Sequence, residues 1–284
     1  MTKQLLSKIE GCYSSMSKGH KRITDYITEN YDKAAFMTAA KLGDAVGVSE
    51  STVVRFASEL GFSGYPQLQK TLQEVVKSRL TSVQRMEAAG GEDMLEHAFS
   101  SDIDTIKATR ESISREAFNA SVEAINRAKH IYVLGVRSAA SLASFAAFYL
   151  NFVYDSVTLI EPAGTGEAFD QAFRINKDDV CIAISFPRYS KQTINMLRFI
   201  SDRGATVISV TDSENSPIAQ FATHLLLARS SMVSFVDSLV APLSLINALI
   251  AAAASEKSGE GYSNLSSLEN IWDEYHKRNF GKRV

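Results

Sequence analysis

The chain has 284 residues, 45% apolar and 22% charged, with two cysteines and a formal net charge of −2. This is the composition of a globular protein long enough for two ordinary domains with their own cores. Cys12 and Cys181 lie far apart and the five histidines are scattered, which excludes a disulfide framework, leaves no metal-ligand spacing and calls for no cofactor.

The charge is unevenly spread. Residues 1–85 hold 12 Lys and Arg against 8 Asp and Glu, whereas the remainder holds 18 against 24. A basic head on an acidic body is expected when only the head meets phosphate backbones. The opening residues, MTKQLLSKIEG, lack the apolar stretch of about 7–15 residues found in a secretory signal, and the expectation is a cytoplasmic protein. The longest apolar run, 239–254, is broken by Pro242, Ser244 and Asn247 and falls short of the ~20 residues that span a bilayer. It reads as a buried helix, and no membrane partner is expected.

Along the head, Ile23, Tyr26, Ile27 and Tyr31 recur at helical spacing and predict a helix over 18–31. After a break at 32–37, Thr38 can cap a short helix carrying Ala39, Leu42, Ala45 and Val46 on one face. Gly47-Val48-Ser49 then supplies a residue able to turn left-handed, an apolar residue to pack inward and a cap for the next helix. Two helices joined by so short a turn form a helix-turn-helix. In the second of them Val53, Phe56, Ala57 and Leu60 form the inward stripe, and Ser51, Thr52 and Arg55 lie on the other side near its start, where a recognition helix reads base edges. Thr38, Ser49 and Tyr65 complete the candidate DNA-binding set, Thr38 and Ser49 doubling as caps. Lys18, Lys21, Arg22 and Lys41 are candidate phosphate contacts. Gly61 stops the helix, and a further helix runs over 66–79.

The small, polar stretch 88–93 marks the boundary to the body. The helical pattern over 94–113, with Leu95, Phe99, Ile103 and Ile106 on one stripe, is expected to pack on the next domain. The domains read as a DNA-binding head at 1–78, a linker and connecting helix at 79–110, the body at 111–255 and a helical tail at 256–284. In the body, apolar runs at 131–135, 157–160, 180–185, 206–211 and 224–228 alternate with helical patterns at 138–153, 167–173, 192–203 and 217–221 before a last helix at 237–254. Strands that are apolar without alternation belong to a parallel sheet covered on both faces. The predicted fold class is therefore an all-α head followed by a doubly wound α/β body with the flavodoxin-like order 2-1-3-4-5.

Such a sheet binds ligands at the carboxyl ends of the strands flanking its switch point, here the first and third. The loop after the first is Gly135-Val136-Arg137-Ser138, opening a helix whose free N–H groups favour an anion. The loop after the third, Ser185-Phe186-Pro187-Arg188-Tyr189-Ser190-Lys191, collects hydroxyls, a guanidinium and an ammonium. Arg137, Ser138, Ser185, Arg188, Tyr189, Ser190 and Lys191 are the candidate anion ligands.

Residues 38–69, TAAKLGDAVGVSESTVVRFASELGFSGYPQLQ, resemble the amino-terminal domain of RpiR/MurR-type bacterial transcription regulators. Val48, Ser49, Thr52, Val53, Arg55, Phe56, Leu60, Gly61, Phe62, Gly64 and Tyr65 match that family's VS-x-x-T-V-x-RF-x-x-x-LGF-x-G-Y/F pattern in order. Ser58-Glu59 stands where family members often carry basic residues. Residues 120–250 resemble the SIS (sugar isomerase) domain, whose serine-rich turns after the first and third strands bind the phosphate of phosphosugars. The resemblance implies that role for Ser138, Ser185 and Ser190, although Phe186-Pro187-Arg188-Tyr189 replaces the centre of the commoner S-x-S-G-x-T loop; the segment 211–217 resembles the turn after the fourth SIS strand. It also implies a non-enzymatic regulator, with operator DNA, a phosphorylated sugar effector and a second copy of itself as partners. The alternatives are an aldose–ketose isomerase, for which only Glu161 and Glu167 are placed as a base, and a DNA-binding dimer that ignores ligand. The apolar run 239–254 and the tail 265–275 with Trp272 are candidate interface elements.

Overall fold

The structure is a computed structural model that describes residues 13–79, 86, 93–161, 165–232, 236–257 and 260–280. It divides into two compact units, residues 1–90 and 91–284. The boundary stretch 88–93 lies almost wholly outside the described residues, as does Cys12.

The first unit consists of α1 (Lys18–Glu29), α2 (Tyr31–Ala34), α3 (Ala39–Val46), α4 (Glu50–Glu59) and α5 (Tyr65–Arg79). Ser17, Thr38 and Ser49 each cap a helix by accepting the backbone N–H three residues on, which satisfies a donor that the helix cannot. Ile23, Ile27, Leu42, Val53, Phe56, Leu60 and Leu68 form a core with no solvent access to speak of. The expected break at 32–37 instead begins inside the one-turn helix α2, and Ala34 and Ala35 are buried against that core. Ala45, expected on the inner stripe of α3, is exposed; Gly43 takes the inner position. Gly47 has φ 66° and ψ 47°, a left-handed conformation that costs other residues about 1–2 kcal/mol. Its carbonyl accepts from Arg22 Nη1 at 3.3 Å, so the turn between α3 and α4 is tied back to α1.

The second unit opens with α6 (Met94–Ser112) and α7 (Arg115–Arg127), followed by β1 (Ile131–Gly135), α8 (Ser138–Leu150), β2 (Val157–Ile160), α9 (Thr165–Ala172), β3 (Val180–Ile184), α10 (Lys191–Asp202), β4 (Thr206–Thr211) and β5 (His224–Leu227). A short antiparallel pair, β6 (Ser231–Met232) and β7 (Asp237–Ser238), precedes α11 (Val240–Glu256) and α12 (Glu260–Phe280). The five long strands are all parallel in the order β2-β1-β3-β4-β5, the order expected from the sequence. Ile131, Val133, Ile182, Ile184, Ile208 and Val210 face a layer made by α7, α8 and α11. Tyr132, Leu134, Cys181, Ala183 and Val207 face the opposite layer of α9 and α10. Burial on both faces removes any polar alternation from the strands, which is why each read as one unbroken apolar run.

Several elements differ from the sequence reading. The pattern at 217–221 is only the 3-10 turn Ala219–Phe221, and residues 237–238 are paired in β7 rather than helical. Helix α7 was not expected, although Ser114 caps it and Phe118, Val122 and Ile125 sit at helical spacing. Helix α6 packs on α11 and β6, but most of its apolar stripe stays outside: Leu95, Phe99 and Ile103 are 70%, 64% and 48% exposed, and only Ile106 is half-buried. Spacing identifies an apolar face and does not say what covers it. Among the described residues no helix is long and apolar enough to cross a membrane.

Candidate functional site

In the head, α4 presents its first turns outward. Ser51 and Arg55 are exposed and Thr52 is half-buried. Ser49 Oγ lies 2.9 Å from Ser51 Oγ and 2.8 Å from Thr52 Oγ1, and Arg55 Nε donates to the Ser51 carbonyl at 3.4 Å. Ser49, Ser51, Thr52 and Arg55 thus form one polar patch at the positive end of the helix dipole, a suitable face for phosphates and base edges. Thr38 stands apart as the cap of α3. Glu59, the acidic residue in place of a base, has Oε2 2.6 Å from His20 Nδ1, so it ties α4 to α1.

Tyr65 is placed differently from the other candidates. It is 4% exposed, and its hydroxyl donates to the Met37 carbonyl at 2.7 Å; burial pushes the phenol up to about 12. The same carbonyl accepts from Gln69 Nε2 at 2.8 Å. Tyr65→Phe should therefore cost the head only about 1 kcal/mol, since the carbonyl keeps one donor, and leave operator affinity unchanged. Thermal melting and a DNA-binding titration of the variant check both. The raised phenol gives a sign for pH: stability from the neutral form is complete below pH 10 and is lost as pH rises through about 12.

In the body, Gly135 and Ile184 are register partners at the carboxyl ends of β1 and β3, so the two candidate loops leave the sheet side by side. A side chain at Gly135 would place its Cβ 2.6 Å from the Ala139 carbonyl oxygen and 2.8 Å from Ala143 Cβ; glycine lets α8 start hard against the strand. Arg137 precedes α8 with φ 58° and ψ −127° and makes no side-chain cap; the first turn is closed by backbone bonds instead, the Ala139 N–H donating to the Val136 carbonyl at 3.2 Å and the Ala140 N–H to the Arg137 carbonyl at 3.1 Å. Arg137 and Ser138 are both exposed. In the second loop Ser185 is buried, its N–H donating to the Val210 carbonyl at 3.1 Å. Arg188 has φ 67°. Ser190 caps α10, accepting from Gln192 N at 3.2 Å, and Lys191 is exposed at the head of that helix.

Among the described residues, Arg137 and Arg188 are the two that are not glycine and yet have positive φ. Each costs of order 1–3 kcal/mol, and such strain clusters at ligand clamps. Both sit at the switch point, one in each loop.

Two partners were invisible to the sequence reading. The Arg188 guanidinium pairs with Asp237 of β7, and the Tyr189 hydroxyl donates to Asp212 Oδ1 at 2.5 Å. Burial first, and Asp212 second, hold the Tyr189 phenol well above its ordinary range, so it stays a neutral donor. Thr193 in the first turn of α10 was also missed, whereas Ser216 in the loop after β4 lies in the segment 211–217 that the resemblance already places at the edge of the pocket. Their hydroxyls are buried on this edge without a partner among the described residues, the condition in which a polar group is open to a ligand or water.

A cavity of about 300 Å³ lies at the opposite edge, lined by Glu123, Arg127, Lys177, Asp178, Asp179 and His224 among others. It faces the amino ends of the strands and the carboxyl end of α7, where helix dipoles repel an anion. The carboxyl ends of the strands, where α8 and α10 begin, are the end of the sheet at which helix dipoles favour an anion. Cys181 is fully buried, which pushes its thiol up to about 12 and leaves it protonated and inert.

The comparisons with known proteins follow this division. Residues 3–79 match the helix-turn-helix domain of the rpiR family, and residues 124–252 match the SIS domain. The HTH-type transcriptional regulator HexR of Pseudomonas aeruginosa is 25% identical over 228 residues, covering 78% of this chain and 77% of that one. HexR of Escherichia coli is 25% identical over 226 residues, covering 77% and 75%. Among solved structures, the Vibrio vulnificus NanR protein complexed with ManNAc-6P shares the fold with a TM-score of 0.59 at 23% identity, covering 95% of this chain and 98% of that one. The sugar isomerase domain of an RpiR transcription factor from Sphaerobacter thermophilus gives a TM-score of 0.57 at 29% identity over 61% of this chain and 96% of that one. With its head and its body matched in this order, the chain belongs to the rpiR family of helix-turn-helix transcriptional regulators that carry a SIS domain.

Proposed function

We propose that this regulator binds operator DNA through α4 and changes its affinity when a phosphorylated sugar occupies the crevice between the loops after β1 and β3. The observation that carries the reading is the pair of strained arginines, Arg137 and Arg188, one in each loop at the switch point. Ser138, Ser185 and Lys191 add donors around the same point. NanR, whose fold the chain shares, is known in complex with ManNAc-6P, which sets the class of ligand to try first.

The reading is of a sensor in the cytoplasm, without cofactor or turnover. Glu161 is exposed, with its backbone engaged by Gln171, and Glu167 is exposed on α9; neither carboxylate has the burial that tunes a general base. His224 begins β5 at the far edge of the sheet. A homo-oligomer fits the exposed apolar side chains: Leu95, Phe99 and Ile103 on α6, Phe148 and Tyr149 on α8, and Ile271, Trp272 and Tyr275 on α12. Helix α11, in contrast, spends Leu245, Ile246 and Leu249 on the core.

A thermal-shift screen against sugar and amino-sugar phosphates, ManNAc-6P included, should yield a stabilising ligand, while the unphosphorylated sugars should not bind. Arg55→Ala should weaken operator binding by about 1–3 kcal/mol per recognition helix, roughly 5- to 150-fold, and leave that thermal shift intact. Loss of both properties would mean that Arg55 matters for folding and not for reading DNA.

A further inference from the structure

The Arg188 guanidinium, in the loop after β3, is held by the Asp237 carboxylate of β7. The next residue, Ser238, donates its hydroxyl to Asp102 Oδ1 of α6 at 2.5 Å. On the approach to β6, the Arg229 N–H donates to Thr109 Oγ1 of α6 at 2.9 Å. Asp102 and Thr109 are two helical turns apart and share a face, so the β6–β7 segment is fastened along one side of α6 at two points. That helix is capped by Asp93 at the start of the second unit. Among the described residues the strands β6 and β7 have two residues each and pair through Ser231 with Ser238 and Met232 with Asp237. So small a ladder has little stability of its own, and the side-chain ties at its ends help to position it.

We propose that the Arg188–Asp237 pair is a ligand-operated latch in which the Asp237 carboxylate occupies the guanidinium until a phosphorylated sugar takes its place. A phosphate carries about −1.5 to −2 charges and three acceptor oxygens against the single charge of a carboxylate, and arginine's planar fork suits both. When the phosphate claims Arg188, β7 loses its hold on the ligand loop, and Ser238 passes the change to Asp102 and thus to α6. Closure by Asp237 also lowers the apparent affinity for the ligand in proportion to the fraction of molecules that are latched. The latch rests on the reading of the crevice as a phosphosugar site, and the experiment separates the two.

The full-length wild type, Asp237→Asn and Ser238→Ala are titrated calorimetrically with ManNAc-6P and with inorganic phosphate, and hydrogen exchange is followed by mass spectrometry over residues 94–112. Asp237→Asn keeps the shape of the side chain and removes its charge. It is expected to bind the probes about fivefold tighter or more, and its ligand-free α6 should exchange as fast as that of liganded wild type. Ser238→Ala should bind as wild type does, but with α6 exchange no longer responding to ligand. Equal or weaker binding by Asp237→Asn overturns the latch alone. Failure of every protein to bind inorganic phosphate, ManNAc-6P or any other sugar phosphate of the thermal-shift screen overturns the phosphosugar reading and the latch together. Should Asp237→Asn melt well below wild type, Ser238→Ala decides: an undiminished α6 response overturns the latch, and a lost response upholds it.

Discussion

Phe56→Ala is expected to unfold the head and abolish operator binding while the melting transition of the body stays where it is. The ring is wholly buried among Ile23, Leu42, Val53 and Leu60 in a core that shares no residue with the two cores of the body. Removing so large a side chain costs about 3–5 kcal/mol. A domain of this size has roughly 3–10 kcal/mol of stability in all, so the loss removes from about a third to all of it. Differential scanning calorimetry of the full chain should show the head's transition lost and the body's transition unmoved. If both shift together, the two units do not fold independently.

Arg137→Gly is expected to separate stability from binding. The backbone of Arg137, at φ 58° and ψ −127°, lies where glycine is at ease. Glycine relieves strain of about 1–3 kcal/mol, offset by about 0.5–1 kcal/mol of extra freedom in the unfolded chain, so the body should melt unchanged or higher. Loss of the guanidinium removes a charge-assisted contact of about 1.5–3 kcal/mol, so the Kd for the sugar phosphate should rise about 10- to 150-fold. A purely structural arginine would lower the melting temperature and leave the Kd alone. Opposite movements of the two quantities are the signature of a residue strained in order to bind.

The fold was legible to the extent that it depends on local rules. Val180 to Ile184 is buried on both faces, and such a strand shows itself as an apolar run wherever it occurs. Gly47-Val48-Ser49 carries its turn chemistry in three consecutive residues, and the structure uses each as the sequence suggests: left-handed cap, inward apolar residue and helix cap. Helix α7 obeys the same local rules, with Ser114 as its cap and Phe118, Val122 and Ile125 at helical spacing, yet it went unread.

What was not legible is long-range pairing. Arg188 and Asp237 are 49 residues apart, and Tyr189 and Asp212 are 23 apart; nothing local to Asp237 marks it as an arginine's partner, and a two-residue strand has no period to detect. Tyr65 shows the same limit from the other side. Its place in a family pattern suggested contact with DNA, but its hydroxyl serves the Met37 carbonyl inside the head, and only the fold brings residues 28 positions apart into contact. The backbone strain at Arg137 and Arg188 is also invisible in sequence, because either residue adopts ordinary φ elsewhere.

The most direct test is the operator Kd of the full-length protein, measured by fluorescence anisotropy with and without a saturating sugar phosphate taken from the thermal-shift screen. A coupling of about 1–3 kcal/mol would change that Kd about 5- to 150-fold, and the change should vanish when the unphosphorylated sugar is used. An operator Kd that stays the same while the sugar phosphate is demonstrably bound would contradict the link between the crevice and the DNA-binding head.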